Sequence, residues 1–198
     1  MKRPTKEQIQ ALPSYTGLML ANIHIVETED DAEKALAALN NKACLGFDTE
    51  SKPTFRKGEV SAGPTLIQLS TALDAYLFPT RFPSAVSAAK DLLSNPEIKK
   101  VGFGLKGDNK ELRSKLNIVI SNTEDLSLTL KRIARERNPI GARAAVAMVL
   151  NARLGKGAQT SNWGAYPLKE HQILYAANDA HSAICIKIAL NDGNKGSK

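Results

Sequence analysis

Cysteine, histidine and aromatic residues are scarce in this chain of 198 residues, which contains two Cys, three His and one Trp. Two cysteines cannot provide a disulfide framework or a Cys/His zinc cluster, so we expect Cys44 and Cys185, both in apolar stretches, to be buried reduced thiols. No apolar run approaches the ~20 residues that cross a membrane, and the basic N-terminus lacks the apolar centre of a signal peptide. The expected location is therefore intracellular, either cytoplasmic or, in a eukaryote, nuclear.

Acidic residues are outnumbered by basic ones, with 20 Asp and Glu against 27 Lys and Arg, which gives a net charge of +7. A basic surplus favours a polyanionic partner such as nucleic acid. The basic residues are scattered along the chain, which suits a protein that contacts a phosphate backbone at several points. Hydrophobic residues make up 42% of the chain, enough for a core, and its length allows a single domain.

The predicted elements are strands and helices up to about Glu124 and helices alone afterwards. The strand-like stretches are NIHIVET, KACLGFDTE, TLIQLST, DAYLFP, IKKVGF and NIVIS. The first predicted helix is TKEQIQAL, in which Thr5 and Gln8 have the spacing of a capping box. This order predicts an α/β fold with a mixed central β-sheet flanked by helices and a helical C-terminal part. The predicted division is a helical N-terminal extension over residues 1–20, one domain over 21–190, and a disordered tail over 191–198.

The stretch VGFGLKGDNKEL contains Gly102, Gly104 and Gly107 at the spacing of a dinucleotide-binding loop. A strand-like segment precedes it, a helix follows, and Glu124 lies where a ribose-binding acid would be expected. A dinucleotide fold, however, needs several more parallel strands after this loop, and most of the remaining chain is helical in pattern. We therefore favour the alternative that the glycines provide space beside Asp108, and we expect no dinucleotide cofactor.

Two pairs of residues and one single acid stand out as candidate functional groups. Asp48 and Glu50 are two apart at the end of an apolar strand, so their side chains point the same way. Tyr175 and Asp179 are four apart in a helical stretch and share one face. Asp108 opens the helix after the glycine loop. Each feature alone is common in ordinary proteins, and it is their combination that indicates a site.

The three motifs in this order resemble the DEDD family of 3′–5′ exonucleases, in the subgroup whose third motif contains tyrosine. The matching stretches are GFDTE with TLIQLS, VGFGLKGDNKEL, and LYAANDAH. The resemblance covers residues 20–190 and implies a ribonuclease H-like exonuclease fold, with residues 21–190 as the exonuclease domain. The loop SKPTFRKGEVSAGP and the stretch SNWGAYPLKEHQILYAANDA are similar to Werner-type members, while the RNase D-type branch stays open.

The resemblance also implies a chemistry for the acids. Oxygen-only ligands suit two Mg²⁺ or Mn²⁺ ions. By resemblance, Asp48 would contact both ions, Glu50 and Asp179 would help to bind the first, and Asp108 would support the second. Tyr175 would orient the attacking water. The implied partner is nucleic acid with a free 3′ end, and the implied products are 5′-nucleoside monophosphates.

Contacts with the substrate are a separate set of predictions. Thr49, Arg56 and Lys57 are predicted to contact nucleic acid, although a solvated loop accounts equally well for the two basic residues. Phe55 is a candidate for stacking on a base. Trp163 is predicted to pack against the final helix.

Two other functions remain as alternatives at this point. One is a nucleic-acid-binding module that has lost catalysis on the same fold. The other is an oxidoreductase that uses the glycine loop. The sequence also leaves DNA and RNA open as substrates, with DNA slightly favoured, because no residue can be assigned to sensing the 2′-OH.

Overall fold

The computed structural model describes residues 1–53, 61–155 and 157–195 of the chain. Within them the strands are β1 Ile23–Ile25, β2 Cys44–Ser51, β3 Pro64–Ser70, β4 Ala75–Pro79, β5 Lys99–Gly102 and β6 Thr123–Asp125. The helices are α1 Lys6–Ala11, α2 Glu29–Leu39, α3 Pro83–Ser94, α4 Lys106–Leu116, α5 Leu126–Ala134, α6 Ala142–Leu150 and α7 Glu170–Lys195. None of the described helices is long and apolar enough to span a membrane.

The six strands form one mixed sheet in the order β1-β4-β3-β2-β5-β6. The central strand β2 is antiparallel to β3 and parallel to β5, and β3 and β4 form an antiparallel pair. Helices pack on the sheet, with α7 against β2, β3, β4 and β5 and with α6 against α7. The predicted α/β class with a mixed sheet flanked by helices is therefore confirmed.

Strand β2 divides its side chains between two different surroundings. Leu45 and Phe47 are fully buried in a core that also contains residues of α2, α3 and α4. Gly46, Asp48 and Glu50 alternate with them and therefore point to the opposite face, where α7 lies. One strand thus contributes both to the main apolar core and to a polar face.

Helix α7 approaches β2 at a distance that only glycine allows. A Cβ atom added to Gly46 would lie 2.0 Å from the carbonyl oxygen of Ala180 on α7. Ala176, Ala177 and Ala180 are all fully buried along this helix, and their small side chains also allow another element to approach closely. The helix is therefore held directly over the strand that contains the first two acids.

The first helix and its capping box match the sequence prediction. In α1 the Thr5 hydroxyl accepts a hydrogen bond from the Gln8 amide, and the Gln8 side chain accepts one from the Thr5 amide.

Both cysteines are free thiols, as predicted, although Cys44 and Cys185 are only partly buried.

The stretch NIVIS is not a strand, contrary to prediction. Asn117 ends α4 in the left-handed conformation, and the Ile118 amide then bonds to the Leu112 carbonyl at 3.1 Å, as in a Schellman cap. Ile118 is buried because it closes this cap against the core. The sixth strand is instead the short segment Thr123–Asp125, so the purely helical part begins after Asp125.

The C-terminal segment from residue 191, for which a disordered tail is predicted, is helical over its first residues. Helix α7 continues to Lys195. The segment after the apolar stretch lacks proline, and one glycine weakens a helix by only ~1 kcal/mol, so the long packed helix extends beyond its last core contact.

We expect Gly46→Ala to lower the free energy of unfolding by about 1–3 kcal/mol, because the new methyl group would overlap the backbone of α7. Gly107→Ala is the matched control, since a Cβ there meets nothing within 4 Å and Ala favours the helix by up to about 1 kcal/mol. Urea denaturation followed by circular dichroism measures both. Equal stability of the two variants would contradict the close packing at Gly46.

Candidate active site

The candidate residues of β2 and α7 line one cleft of about 610 Å³. Asp48 and Glu50 reach it from β2, and Tyr175 and Asp179 reach it from α7. Asp108, in the first turn of α4, is joined to this group through the Thr49 hydroxyl, which donates to its carboxylate at 2.5 Å. The structure therefore brings all five predicted catalytic positions to one place from three separate elements.

The side chains of the two acids of β2 point the same way because residues two apart on a strand lie on the same face. Asp48 lies opposite Gln68 of β3, and Glu50 lies opposite Leu66. The register shifts directly after Glu50, so the regular ladder ends where the acids reach the cleft. The Thr49 amide donates to the Asp48 carboxylate at 2.9 Å, which fixes that side chain.

Two glycines explain how the loop after β5 places Asp108. A Cβ on Gly102 would lie 2.4 Å from the Phe47 carbonyl oxygen, so β5 can approach β2 only with glycine there. Gly104 has a φ of +69°, a left-handed conformation that favours glycine, and its amide bonds to Asp125 at 3.1 Å. Gly107 meets nothing within 4 Å and takes no part in this packing, contrary to prediction.

Tyr175 and Asp179 interact directly across one turn of α7. The tyrosine hydroxyl hydrogen-bonds to the Asp179 carboxylate, and this bond lowers the pKa of Asp179 while burial raises it by more. Burial and the nearby carboxylates raise the pKa of Tyr175 far above its usual range, so its hydroxyl stays protonated. Trp163 is buried and packs against the Tyr175 ring with centroids 6.1 Å apart, as predicted.

The carboxylates repel one another in a partly desolvated site. Burial raises the pKa of Asp48 well above its usual range, and repulsion from the other three carboxylates raises it further. Burial likewise raises the pKa of Glu50 to about 8, with added repulsion from Asp179 and Asp108. Burial also raises the pKa of Asp108, although the hydrogen bond from Thr49 opposes this. Such a site favours protons or a cation.

The donor chemistry of this cluster fits Mg²⁺ or Mn²⁺. All four acidic side chains offer oxygen, which these ions prefer, and their combined negative charge would be offset by divalent cations. As placed, no three His, Cys, Asp or Glu side chains of the described part of the chain lie close enough together to hold an ion. Asp108 is instead bonded to Thr49, so the fit is one of ligand type and charge.

Other predicted positions are distributed as follows. Phe55, Arg56 and Lys57 lie outside the described residues. Thr49 lines the cleft. The Glu124 carboxylate, the candidate ribose ligand, pairs with the Lys187 ammonium at 2.7 Å.

Sequence reasoning missed Gln68, which lies opposite Asp48 on β3. Its side chain is fully buried, and neither of its amide atoms has a hydrogen-bond partner within the described residues. The alternation of β3 could have indicated a polar residue on the same face as Asp48, but the pairing register was not available from sequence. Arg143, at the start of α6, also lines the cleft and was not predicted.

The fold is that of the ribonuclease H-like 3′–5′ exonucleases. The structure superposes on the EXO domain of Nibbler from Aedes aegypti with a TM-score of 0.78 and 24% identity, covering 90% of this chain and 91% of that one. It also superposes on RNase D of Trypanosoma brucei in complex with RNA U12, with a TM-score of 0.76 and 20% identity over 93% of this chain and 64% of that one.

The family model described as 3′–5′ exonuclease matches residues 23–192, and the chain belongs to this family. It is 30% identical over 161 residues to the mouse bifunctional 3′–5′ exonuclease/ATP-dependent helicase WRN, which covers 80% of this chain. The chain spans 11% of the length of that mouse protein. The predicted family is thus confirmed, and relatives of this kind imply a hydrolase with nuclease activity.

In EDTA we expect the melting temperature to fall as the pH rises from about 5 to 8. The folded protein holds the Glu50 proton up to a pKa of about 8, whereas the unfolded chain releases it near 4.5, so the folded state binds more protons in this window and loses stability across it. Above pH 8 Glu50 is ionised in both states, so the stability that its bound proton contributed at lower pH is absent.

Thermal melts of wild type, Glu50→Gln and the exposed control Glu97→Gln check this. Glu50→Gln should flatten the pH dependence and Glu97→Gln should leave it unchanged. Added Mn²⁺ should raise the melting temperature most at pH 8, where the carboxylates are charged. A wild-type melting temperature that rises from pH 5 to 8 in EDTA would refute the electrostatic account.

Proposed function

We propose that this chain is a metal-dependent 3′–5′ exonuclease that hydrolyses the terminal phosphodiester of nucleic acid and releases 5′-nucleoside monophosphates. The observation that carries the proposal is that three partly buried carboxylates and one tyrosine line a single cleft, with the fourth carboxylate, Asp108, joined to them through Thr49. Isolated buried carboxylates are costly, and four together are most simply explained by divalent cations. We propose residues 21–190 as the exonuclease domain.

Two Mg²⁺ or Mn²⁺ ions would be held by the acids in different ways. In this proposal Asp48 would bind both ions, Glu50 and Asp179 would help to bind the first, and Asp108 would support the second. When bound, such ions generate a nucleophilic hydroxide from water and stabilise the attacking and leaving oxygens of an in-line displacement. The Thr49 hydroxyl holds Asp108 in reach of the cluster.

Tyr175 is proposed to orient the attacking water by hydrogen bonding. Its raised pKa keeps the phenol protonated, and its one proton is donated to Asp179. The hydroxyl oxygen is therefore proposed to accept a hydrogen bond from the water, which positions the water without removing a proton from it. The contact with Trp163 and the bond to Asp179 hold the ring and the hydroxyl in place. Tyr175 would therefore position the water, and the ionised carboxylates would supply the negative charge that holds the ions.

The substrate is proposed to be a nucleic acid with a free 3′ end, with DNA slightly favoured. The cleft volume of about 610 Å³ lies in the usual range for pockets that bind small ligands, so it can hold a terminal nucleotide. RNA is the second candidate, as for an RNase D-like enzyme, because the similar Trypanosoma brucei RNase D forms a complex with RNA. A catalytically silent binding module is the remaining alternative.

Asp48→Asn and Asp179→Asn are each expected to lower kcat by at least about 10³-fold while the fold is retained, because each removes a negative ligand at the reacting centre. Asp91→Asn, an exposed carboxylate on α3, is the control and should keep full activity. The assay compares 5′-labelled single-stranded DNA, recessed duplex DNA and RNA with Mg²⁺ and with Mn²⁺, resolved to the nucleotide.

A ladder that shortens one nucleotide at a time, with release of 5′-monophosphates, is the expected product pattern. Internal cuts, 3′-monophosphates or full activity of either site variant would contradict the proposal. Binding without cleavage under both metals would favour the silent module.

Tyr175→Phe is expected to lower kcat by about 10²-fold with little change in KM, because the ring packing against Trp163 is kept and only the orienting hydroxyl is lost. Tyr76→Phe, a tyrosine of β4, is the control and should leave kcat unchanged. Steady-state kinetics across a Mn²⁺ titration measures both. A Tyr175→Phe enzyme that regains wild-type kcat at saturating Mn²⁺ would show that the hydroxyl supports metal binding instead.

A further inference from the structure

The first residues of the chain lie on the candidate active site rather than away from it. Arg3, Lys6, Ile9 and Gln10 line the same cleft as the acids of β2 and α7. The family match begins only at residue 23, so this segment is outside the part of the chain that the family model describes.

Contacts with Arg153 fix this segment to the body of the protein. The Arg153 amide donates to the Pro13 carbonyl at 2.7 Å, and the Tyr15 amide donates to the Arg153 carbonyl at 2.9 Å. The Arg153 guanidinium also donates to the side chains of Gln10 at 3.2 Å and Ser14 at 3.3 Å. The segment is therefore anchored by both backbone and side chain.

A second set of contacts joins the segment to α7, the helix that contains Tyr175 and Asp179. The Tyr15 hydroxyl hydrogen-bonds to the His181 ring at 2.8 Å, and the Leu18 amide donates to the Asn178 side chain at 3.0 Å. These bonds fall on both sides of Asp179 along the helix. The position of the segment is thus set relative to the acids themselves.

The cations of the segment have no acidic partner of their own. Arg3 and Lys6 are both exposed, and neither forms an ion pair within the described residues. Arg143, which is also exposed, lines the same cleft from α6. Three cationic side chains therefore border a cleft whose floor is acidic.

This arrangement answers a difficulty that the acids create. A polyanionic strand is repelled by the carboxylates, and cations beside them would draw its phosphates in. Phosphate contacts of this kind hold a strand without reading its sequence. An exonuclease that removes successive nucleotides needs contacts of this kind to hold the strand.

We propose that residues 1–12 form a wall of the substrate cleft, where Arg3 and Lys6, together with Arg143 of α6, bind phosphates of the nucleic-acid strand beyond its terminal nucleotide. The inference rests on the proposed exonuclease function for its substrate class. It assigns to the N-terminal extension a role in holding the strand.

The test measures binding of a fluorescent single-stranded oligonucleotide with phosphorothioate linkages, which resists hydrolysis, by anisotropy over a range of NaCl concentrations. The variant is Arg3→Ala with Lys6→Ala. The matched control is Lys42→Ala with Lys90→Ala, which removes two exposed cations outside the cleft and gives the same net charge. Thermal melts check that both variants fold as wild type does.

The Arg3/Lys6 variant is expected to reduce the salt dependence of binding by about 1.4 in log–log slope, because each lost phosphate contact on a single strand contributes ~0.7. The ratio of wild-type to variant affinity should therefore be about 25-fold larger at 0.1 M salt than at 1 M salt. The control should change the slope much less. Charge reversal, Arg3→Glu with Lys6→Glu, should weaken binding further.

Equal changes of the salt slope in the variant and the control, or no binding by wild type, would overturn the proposal that Arg3 and Lys6 bind the strand. Tighter binding and faster cleavage by the variant would overturn it in favour of a segment that obstructs the cleft. Failure of the proposed function is a different result, in which wild type binds the oligonucleotide with the expected salt slope and never cleaves its phosphodiester counterpart.

Discussion

The close contact between α7 and β2 at Gly46 is the constraint on which the candidate site depends. Because Gly46 has no side chain, the Ala180 carbonyl can lie directly over the strand. Asp179, the residue before Ala180, and Tyr175, one turn before Asp179, then line the same cleft as Asp48 and Glu50. A larger residue at 46 would lift the helix and separate the two pairs of functional groups. The apolar packing and the chemistry therefore share one contact.

The same packing explains the unusual electrostatics of the cleft. A helix that lies this close to the strand excludes water from one side of Asp48, so its carboxylate loses hydration as well as facing its neighbours. Local hydrogen bonds offset only part of this: the Thr49 amide supports Asp48 and its hydroxyl supports Asp108. Bound cations can relieve the repulsion that remains among the carboxylates. Cation binding at this site should therefore stabilise the folded protein.

Much of this arrangement follows from short-range rules that a sequence carries. The direction of Asp48 and Glu50 follows from strand parity, and the common face of Tyr175 and Asp179 follows from helical spacing. The short strand after residue 122 could not be predicted in the same way, because three residues such as Thr123–Asp125 become a strand only by pairing with β5. Likewise, Gln68 could be recognised as a neighbour of Asp48 only from the pairing register.

The N-terminal extension shows the limit of such rules most clearly. Its helix and capping box are local and were predictable, but its place beside the acids depends on contacts with Arg153 and His181, more than 130 residues away in the chain. A basic side chain near the start of a sequence carries no sign of which surface it will border. Once the segment is anchored, however, Arg3 and Lys6 lie at the cleft without acidic partners, and a polyanion is the ligand whose charge complements theirs. The acids that would perform the cleavage thus come from the packed sheet and the helices α4 and α7, whereas Arg3 and Lys6, which would hold the strand, come from the N-terminal segment anchored beside them.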